Sequence, residues 1–485
     1  MASFDIHAAA RRAMLASGFI PEAPAEVAAE VAKDVDPAST PLGAVRDLRA
    51  LPWSSIDNDS SLDLDQLEVA EKMPNGDVRV RVAIADVDGT VPKGSATDRF
   101  AQANSVSVYT GVVTYPMLPP QLSTHLTSLG QDADRPSVVI EFVVNSSGDV
   151  SAHDVYLARV KNQAKLAYSN VGAWLDNRGT IAPAATPVIQ EQLRLQDGVA
   201  QALRANRGRR GALSLDTIEA QTVMRADKTV SVELVEKTRA SRLIEDFMIA
   251  ANVAMAEFLD DKKSPSLRRV VRTPERWDRI VALAAGFGEK LPATPDASAL
   301  EAFLVKRQAA DPTHYPDLSL SVVKLIGPGV YEMHMPGTAD TGHFGLATHD
   351  YTHATAPNRR FADLVTQRLL KAALAGAPSP YTSAELTTIA AHCTEREDAA
   401  RKVERQVRKE AAAESVANRV GQSFDAIVTG VSPKGTFVRI VTPPIEGRVM
   451  RGEQGLDVGD KIRAKLLSTD PVHGFIDFGA EPKQV

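Results

Sequence analysis

A chain of 485 residues with 44% hydrophobic content can bury two or three cores, which excludes a fibrous or disordered protein. The single Cys393 excludes an intramolecular disulfide and a cysteine-based zinc site. No charged-then-apolar signal opens the sequence and no uncharged apolar run is long enough to span a bilayer, so a cytosolic protein is expected. With a net charge of −6, any nucleic-acid contact must come from local basic groups.

Two short helices are predicted over 5–16 and 25–33, separated by Gly18-Phe19-Ile20-Pro21, whose glycine and proline break the pattern. This helix-turn-helix-like unit, with its linker, occupies 1–42. It reads either as a nucleic-acid module or as a cap packed on the main body, and its few basic residues (Arg11, Arg12, Lys33) favour the cap.

The segment 56–66 then crowds Asp57, Asp59, Asp63 and Asp65 together and ends on a neutral Gln66. Carboxylates this close repel one another, and a hard divalent cation makes such a grouping tolerable. Two other readings stand beside this one. An acidic segment can be a solvated turn. Counting Asp57 as position one, Asp59, Ser61 and Glu68 also fall at calcium-loop positions, but Leu62 stands where that loop needs glycine, and the flanks alternate like strands, as in Val-Arg-Val-Arg-Val-Ala-Ile-Ala at 78–85.

The region 43–420 mixes this early strand alternation with later helical spacing, as at Leu243, Phe247, Ala250, Ala251, Ala254 and Phe258, and reads as one α+β domain. Basic residues gather at Arg204, Arg207, Arg209 and Arg210, at Arg268, Arg269 and Arg272, and at Arg401, Lys402, Arg405, Arg408 and Lys409; each group alone reads as a solvated face. Pro357, followed by Phe361, Leu364, Val365, Leu369 and Ala372, predicts a helix whose first turn holds Arg359. Over 421–485, five short β-like runs punctuated by glycine and proline predict an OB-type barrel. Phe437, Arg439, Arg448 and Arg451 would offer it one stacking ring and several phosphate contacts; the alternative is a barrel used only for packing.

Several of these segments together resemble the catalytic domain of the ribonuclease II and ribonuclease R (RNB) family, from Leu48 to about Arg408. They are the acidic segment 56–66, Val-Ala-Ile-Ala-Asp-Val at 82–87, Tyr-Pro-Met-Leu-Pro at 115–119, Ile-Glu-Asp-Phe-Met-Ile-Ala-Ala-Asn at 244–252, His-Phe-Gly-Leu at 343–346 and Ala-Pro-Asn-Arg-Arg-Phe-Ala-Asp-Leu at 356–364. The barrel resembles the OB-fold that the family appends there. The first 45 or so residues do not match, since family members carry cold-shock-type barrels in that place.

The resemblance implies processive hydrolysis of single-stranded RNA from its 3′ end to nucleoside 5′-monophosphates, with Mg²⁺ or in its place Mn²⁺. It implies that Asp57, Asp63 and Asp65 bind metal, with Asp63 and Asp65 also positioning the attacking water. Arg359 would steady the transition state and Arg360 would contact the backbone. Tyr109 would stack on the last nucleotide, Tyr168 and Glu245 would lie near the 3′ end, and Glu404 is a weaker match. Two positions depart from the family. Gln66 replaces a fourth aspartate and removes a negative charge, and Leu215 replaces a base-clamping phenylalanine. A monomer with no organic cofactor is expected. The rival is a catalytically weakened member that binds RNA without cutting it.

Overall fold

The computed structural model describes residues 4–481 except 35, 38–44, 217–218, 225–229, 236, 340 and 434. The linker expected near the end of 1–42 falls largely outside these residues. The two N-terminal helices form as predicted, α1 (Ile6–Ala16) with Asp5 as its N-cap and α2 (Ala25–Val31).

The central unit is built on nine strands: β1 (Arg46–Asp47), β2 (Ser54–Asp57), β3 (Gln66–Lys72), β4 (Val78–Ala85), β5 (Val108–Tyr109), β6 (Thr114–Tyr115), β7 (Asp134–Val144), β8 (Val150–Lys161) and β9 (Ala164–Ala167). Seven of them form a mixed sheet in the order β1-β8-β7-β4-β3-β2-β9, and β5-β6 stands apart as a hairpin. The helices of this unit are α3 (Ala96–Asn104), α4 (Tyr168–Leu175), α5 (Pro187–Arg209) and α6 (Arg239–Asp261). The period-two pattern of β4 sorts its side chains by face. Val80, Val82 and Ile84 join the core under α5 and α6, whereas Ala83 and Ala85 join the core on the other face. The helical spacing read in α6 is realised, with Leu243, Phe247, Ala250, Ala251, Ala254 and Phe258 all buried.

Among the described residues, β3 has no strand partner on its β2 side beyond Glu68. There the Gln192 amide of α5 accepts from the Ala70 N–H at 2.8 Å and donates to the Ala70 carbonyl at 2.9 Å.

A hairpin, β10 (Glu219–Met224) and β11 (Val230–Val235), precedes α6 in the chain. After α6 come β12 (Ser266–Val270), α7 (Trp277–Gly286), α8 (Ala297–Ala310), α9 (Tyr315–Ile326) and β13 (Val330–His334), which pairs with β12. Two further helices follow, α10 (Phe361–Leu374) and α11 (Ser383–Ser415). Arg368 fastens α10 from within, donating to Asp88, Asp98, the Val91 carbonyl and Tyr381. At 33 residues, about 50 Å, α11 reaches three cores in turn. It gives Ala390 and Cys393 to the sheet core, Ala400, Val403, Val407 and Ala411 to the α1 core, and Ala412 and Ala413 to the barrel.

The barrel closes as β14 (Ser423–Ser432), β15 (Gly435–Ile440), β16 (Glu446–Arg451), β18 (Phe475–Ala480) and β17 (Lys461–Asp470), around Phe424, Val428, Val438, Val449, Leu466 and Phe478. All five predicted runs lie in these strands. Among the described residues no helix is long and apolar enough to cross a membrane.

One sequence expectation is corrected. The helix expected from Pro357 begins instead at Phe361, and Ala356–Arg360 forms a separate turn. The physical reason is a long-range tie: Arg360 is extended, with φ −137° and ψ 125°, because it bridges to Val106.

Candidate active site

The acidic segment connects β2 to β3 at one edge of the sheet region, and local hydrogen bonds set its course. The Asp57 carboxylate accepts from the Asn58 N–H at 2.7 Å and the Ser61 hydroxyl at 3.0 Å, local bonds that turn the chain at the end of β2. Ser128 clamps the far side: its hydroxyl donates to the Leu62 carbonyl at 2.7 Å and accepts from the Leu64 N–H at 3.1 Å. Leu64 is thereby buried and Leu62 is turned outward. Strands rather than helices flank the loop, which removes the helix-loop-helix calcium reading. Asp59 is exposed and accepts from Ser169 at the start of α4.

Asp65 is 2% exposed. One of its carboxylate oxygens accepts from the Asn358 N–H at 3.0 Å, and the other lies 3.4 Å from Arg359 Nε. Burial pushes its carboxyl up to about 7, against the opposing pull of the Arg359 charge and the Asn358 hydrogen bond. Burial also raises the Asp57 carboxyl, outweighing its hydrogen bonds and Arg359. The Tyr109 hydroxyl donates to Asp63 at 3.3 Å, and the Tyr109 N–H donates to Glu404 at 3.0 Å. Burial raises the Tyr109 phenol, so it remains a donor. Tyr109 and Arg359 are also tied through the backbone, since Ser107 donates to the Arg359 carbonyl at 3.0 Å. Gln66 opens β3 and is buried.

Asp57, Asp63, Asp65, Tyr109, Arg359 and Glu404 thus meet in one region, and Gln66 follows Asp65 directly in the chain. Tyr168 joins them: β2 pairs with β9 in a parallel register that sets Asp57 beside Ala167, and Tyr168 follows directly. Arg360 is close in sequence but turned inward, in a two-pronged ion pair with Asp363. Its guanidinium is committed there, which argues against the backbone-contact role. Glu245 is exposed on α6, 3.8 Å from Lys237. Leu215 packs against the core of α7, α8 and α9. Phe437 lies on β15 of the barrel, opposite Arg448 on β16, and Arg439 pairs with Asp317 of α9 at 3.3 Å. Of the other basic groups, Arg204 and Arg207 are bound to Asp246, Arg210 to Asp149, Arg268 to Asp260, Arg269 to Glu397 and Arg272 to Glu332.

Two buried groups escaped sequence reasoning as site residues. Glu68 is 0% exposed, and among the described residues neither of its carboxylate oxygens has a hydrogen-bond partner; the hydroxyl of its buried cross-strand neighbour Ser54 likewise has none among them. Burial, reinforced by the Asp57 charge, holds the Glu68 carboxyl well above the usual range. The i, i+2 spacing from Gln66 was the available signal. Asn358 is 1% exposed; it accepts from Thr127 at 2.5 Å and leaves its amide nitrogen unpartnered.

The donors at this site are all oxygens, the set that suits Mg²⁺ or Mn²⁺. Asp65, a buried carboxylate, fits such an ion. Among the described residues, however, no three Asp, Glu, His or Cys side chains converge as a ready ligand set. Asp57, Asp63 and Asp65 are each turned to the protein partners named above.

An RNB domain is matched over residues 45–376, and an RNase II-type exonuclease C-terminal S1 domain over 422–481. The chain belongs to the RNB family. Ribonuclease R of Thermotoga maritima is 31% identical over 470 residues, covering 89% of this chain and 64% of that protein. The chain spans about half to just under two thirds of the length of the curated relatives it matches. The apo form of Mycoplasma genitalium RNase R has the same fold, with a TM-score of 0.88 at 23% identity over 98% of this chain and 78% of that one. So does yeast Ssd1, described as a pseudonuclease, with a TM-score of 0.71 at 19% identity over 95% of this chain and 57% of that one.

Proposed function

We propose that this chain is a hydrolytic exoribonuclease that degrades single-stranded RNA processively from its 3′ end, releasing nucleoside 5′-monophosphates. The observation that carries the reading is the meeting of Asp57, Asp63 and Asp65 with Arg359 and Tyr109 in one hydrogen-bonded region. Asp57, Asp63, Asp65 and the Gln66 amide oxygen would hold Mg²⁺, or Mn²⁺ in its place. When bound, such an ion activates water and offsets charge on the phosphoryl oxygens. Arg359, its side chain 45% exposed and its carbonyl held by Ser107, presents a guanidinium to the charge that builds on the phosphoryl group. Tyr109 offers a ring face to the last base, and Tyr168 lies beside it near Asp57. The reading divides the chain into 1–42, 43–420 and 421–485, with the barrel's Phe437 contacting RNA, and includes a monomer acting in the cytoplasm without an organic cofactor.

The test is a time course on 5′-labelled single-stranded RNA in Mg²⁺, in Mn²⁺ and in EDTA, beside Asp65→Asn. Full-length RNA is expected to give way to one short labelled product, only with metal and only with Asp65 intact. Intact RNA in every lane with binding retained would instead support a weakened RNA-binding member. Gln66 and the lack of a converged ligand set favour that second reading, and the likeness to yeast Ssd1 shows that the fold also occurs in a protein described as a pseudonuclease.

A further inference from the structure

The two N-terminal helices, which the sequence leaves open between a nucleic-acid module and a cap, are fastened to the segment that carries Tyr109. They grip α3 at both ends. At its start, Glu30 of α2 accepts from the Ala96 N–H at 2.8 Å and the Thr97 N–H at 3.1 Å. At its end, the Asn104 amide accepts from the Ile20 N–H at 2.9 Å and donates to the Ile20 carbonyl at 3.0 Å. The chain leaves α3 through Ser105, in the left-handed region at φ 58°, and enters the β5–β6 hairpin. That hairpin has only two residue pairs, Val108–Tyr115 and Tyr109–Thr114, too few to stand alone. Successive strand residues point to opposite sides. Val108 is fully buried in one core with Ile6, Ala10, Met14 and Phe19, and Val106, Val113 and Tyr115 pack against that core. Tyr109 is therefore turned the other way, where its hydroxyl reaches Asp63.

We propose that the N-terminal helices are a positioning element for Tyr109: α1, seated on α11, is the floor under the β5–β6 hairpin and fixes where the Tyr109 ring stands relative to the acidic segment. This rests on the proposed function, in which Tyr109 stacks on the last base, and it gives a task to residues ahead of 45, where the RNB match begins. The apolar face of α1 is spent on this core, with Ile6, Ala9, Ala10, Ala13 and Met14 all buried. Of its two arginines, Arg11 is paired with Glu22 at 2.6 Å, which leaves little charge for a nucleic-acid contact. The seat itself is firm, since Arg396 of α11 donates to the Ser17 and Gly18 carbonyls, both at 3.1 Å. A ring carried on so short a hairpin follows any loosening of what lies beneath it, so Met14 acts on the site through Tyr109.

The test is Met14→Ala, which opens a cavity in the shared core, beside Met14→Leu, which refills it. Amide hydrogen exchange over residues 105–116 is expected to run roughly tenfold faster in Met14→Ala and at the wild-type rate in Met14→Leu. On a 5′-labelled single-stranded RNA of about 10 nucleotides, KM should rise about tenfold in Met14→Ala, the size of one weakened base stack, and the labelled end product should lengthen. In a Tyr109→Ala background, Met14→Ala should add nothing to KM or product length, because the ring through which it acts is gone. Ile280→Ala, a cavity of the same kind in the core of α7, α8 and α9, should leave exchange over 105–116 unaltered. If Met14→Ala does not fold, Phe19→Leu is the milder change in the same core and is read in the same way. Unchanged exchange, or a KM loss that persists in full without Tyr109, would overturn the proposal. So would a loss of RNA affinity in Arg11→Gln/Arg12→Gln larger than that in Met14→Ala, since α1 would then be touching the strand itself. If the wild-type chain cuts no RNA, the exoribonuclease reading fails on its own, and exchange together with the RNA affinities of the Met14 and Tyr109 variants still decides the brace.

Discussion

With its carboxyl raised from 3.8 to about 7 by burial, Asp65 keeps in the folded, metal-free chain a proton that the unfolded chain gives up. Between those two values the folded state binds more protons, so its stability falls as pH rises through the window. Asp65→Asn removes this term. Without metal, the variant should be more stable than wild type by up to about 4 kcal/mol above pH 7, with the gap narrowing toward pH 4. Urea midpoints in EDTA across that range measure it, and a gap that does not change with pH would refute the assignment. The gathering of the four aspartates was legible because they fall within one short segment, though the sequence left a solvated turn as an equal reading. Glu68 was not, because its meaning depends on an unpartnered Ser54 across the strand pair, a contact that local pattern does not encode.

At the scale of elements, α10 is the member whose placement decides where Arg359 stands, and Arg368 is its fastening. Only 4% exposed, Arg368 neutralises Asp88 and Asp98 at 3.0 and 2.8 Å and caps the Val91 carbonyl. Arg368→Leu would leave buried Asp98 without a counter-charge, while Asp88 keeps Lys371 at 3.2 Å. A loss of about 3–5 kcal/mol in unfolding free energy is expected, with little change for an exposed control such as Arg279→Leu. Chemical denaturation of the two variants side by side checks it. The barrel strands and α6 were readable from local periodicity, because burial on one face repeats every second residue or every three to four. The start of α10 was misread because Val106, some 250 positions upstream in the chain, holds Arg360 extended. The same limit applied to charge. The counter-ions of Arg207 and Arg210, Asp246 and Asp149, lie far away in sequence, so arginines that looked available are already paired, Arg207 with a buried carboxylate and Arg210 with an exposed one.

Across the whole molecule, α11 makes the three cores interdependent, since a single rigid rod contributes to each. The sheet has a different global exposure, at the half of β3 that runs on past β2. A strand edge with free N–H and C=O groups is a template for another strand, and here one side chain stands in for the missing neighbour. Gln192→Ala would uncover the Ala70 amide and carbonyl, costing about 1–3 kcal/mol if they are left dry. Light scattering during mild heating should show the variant assembling at a lower temperature than wild type; identical traces would mean that the edge is guarded by something else. The Gln192 amide thus works as a decoy peptide bond. It occupies a rung of the edge at which another strand could add on.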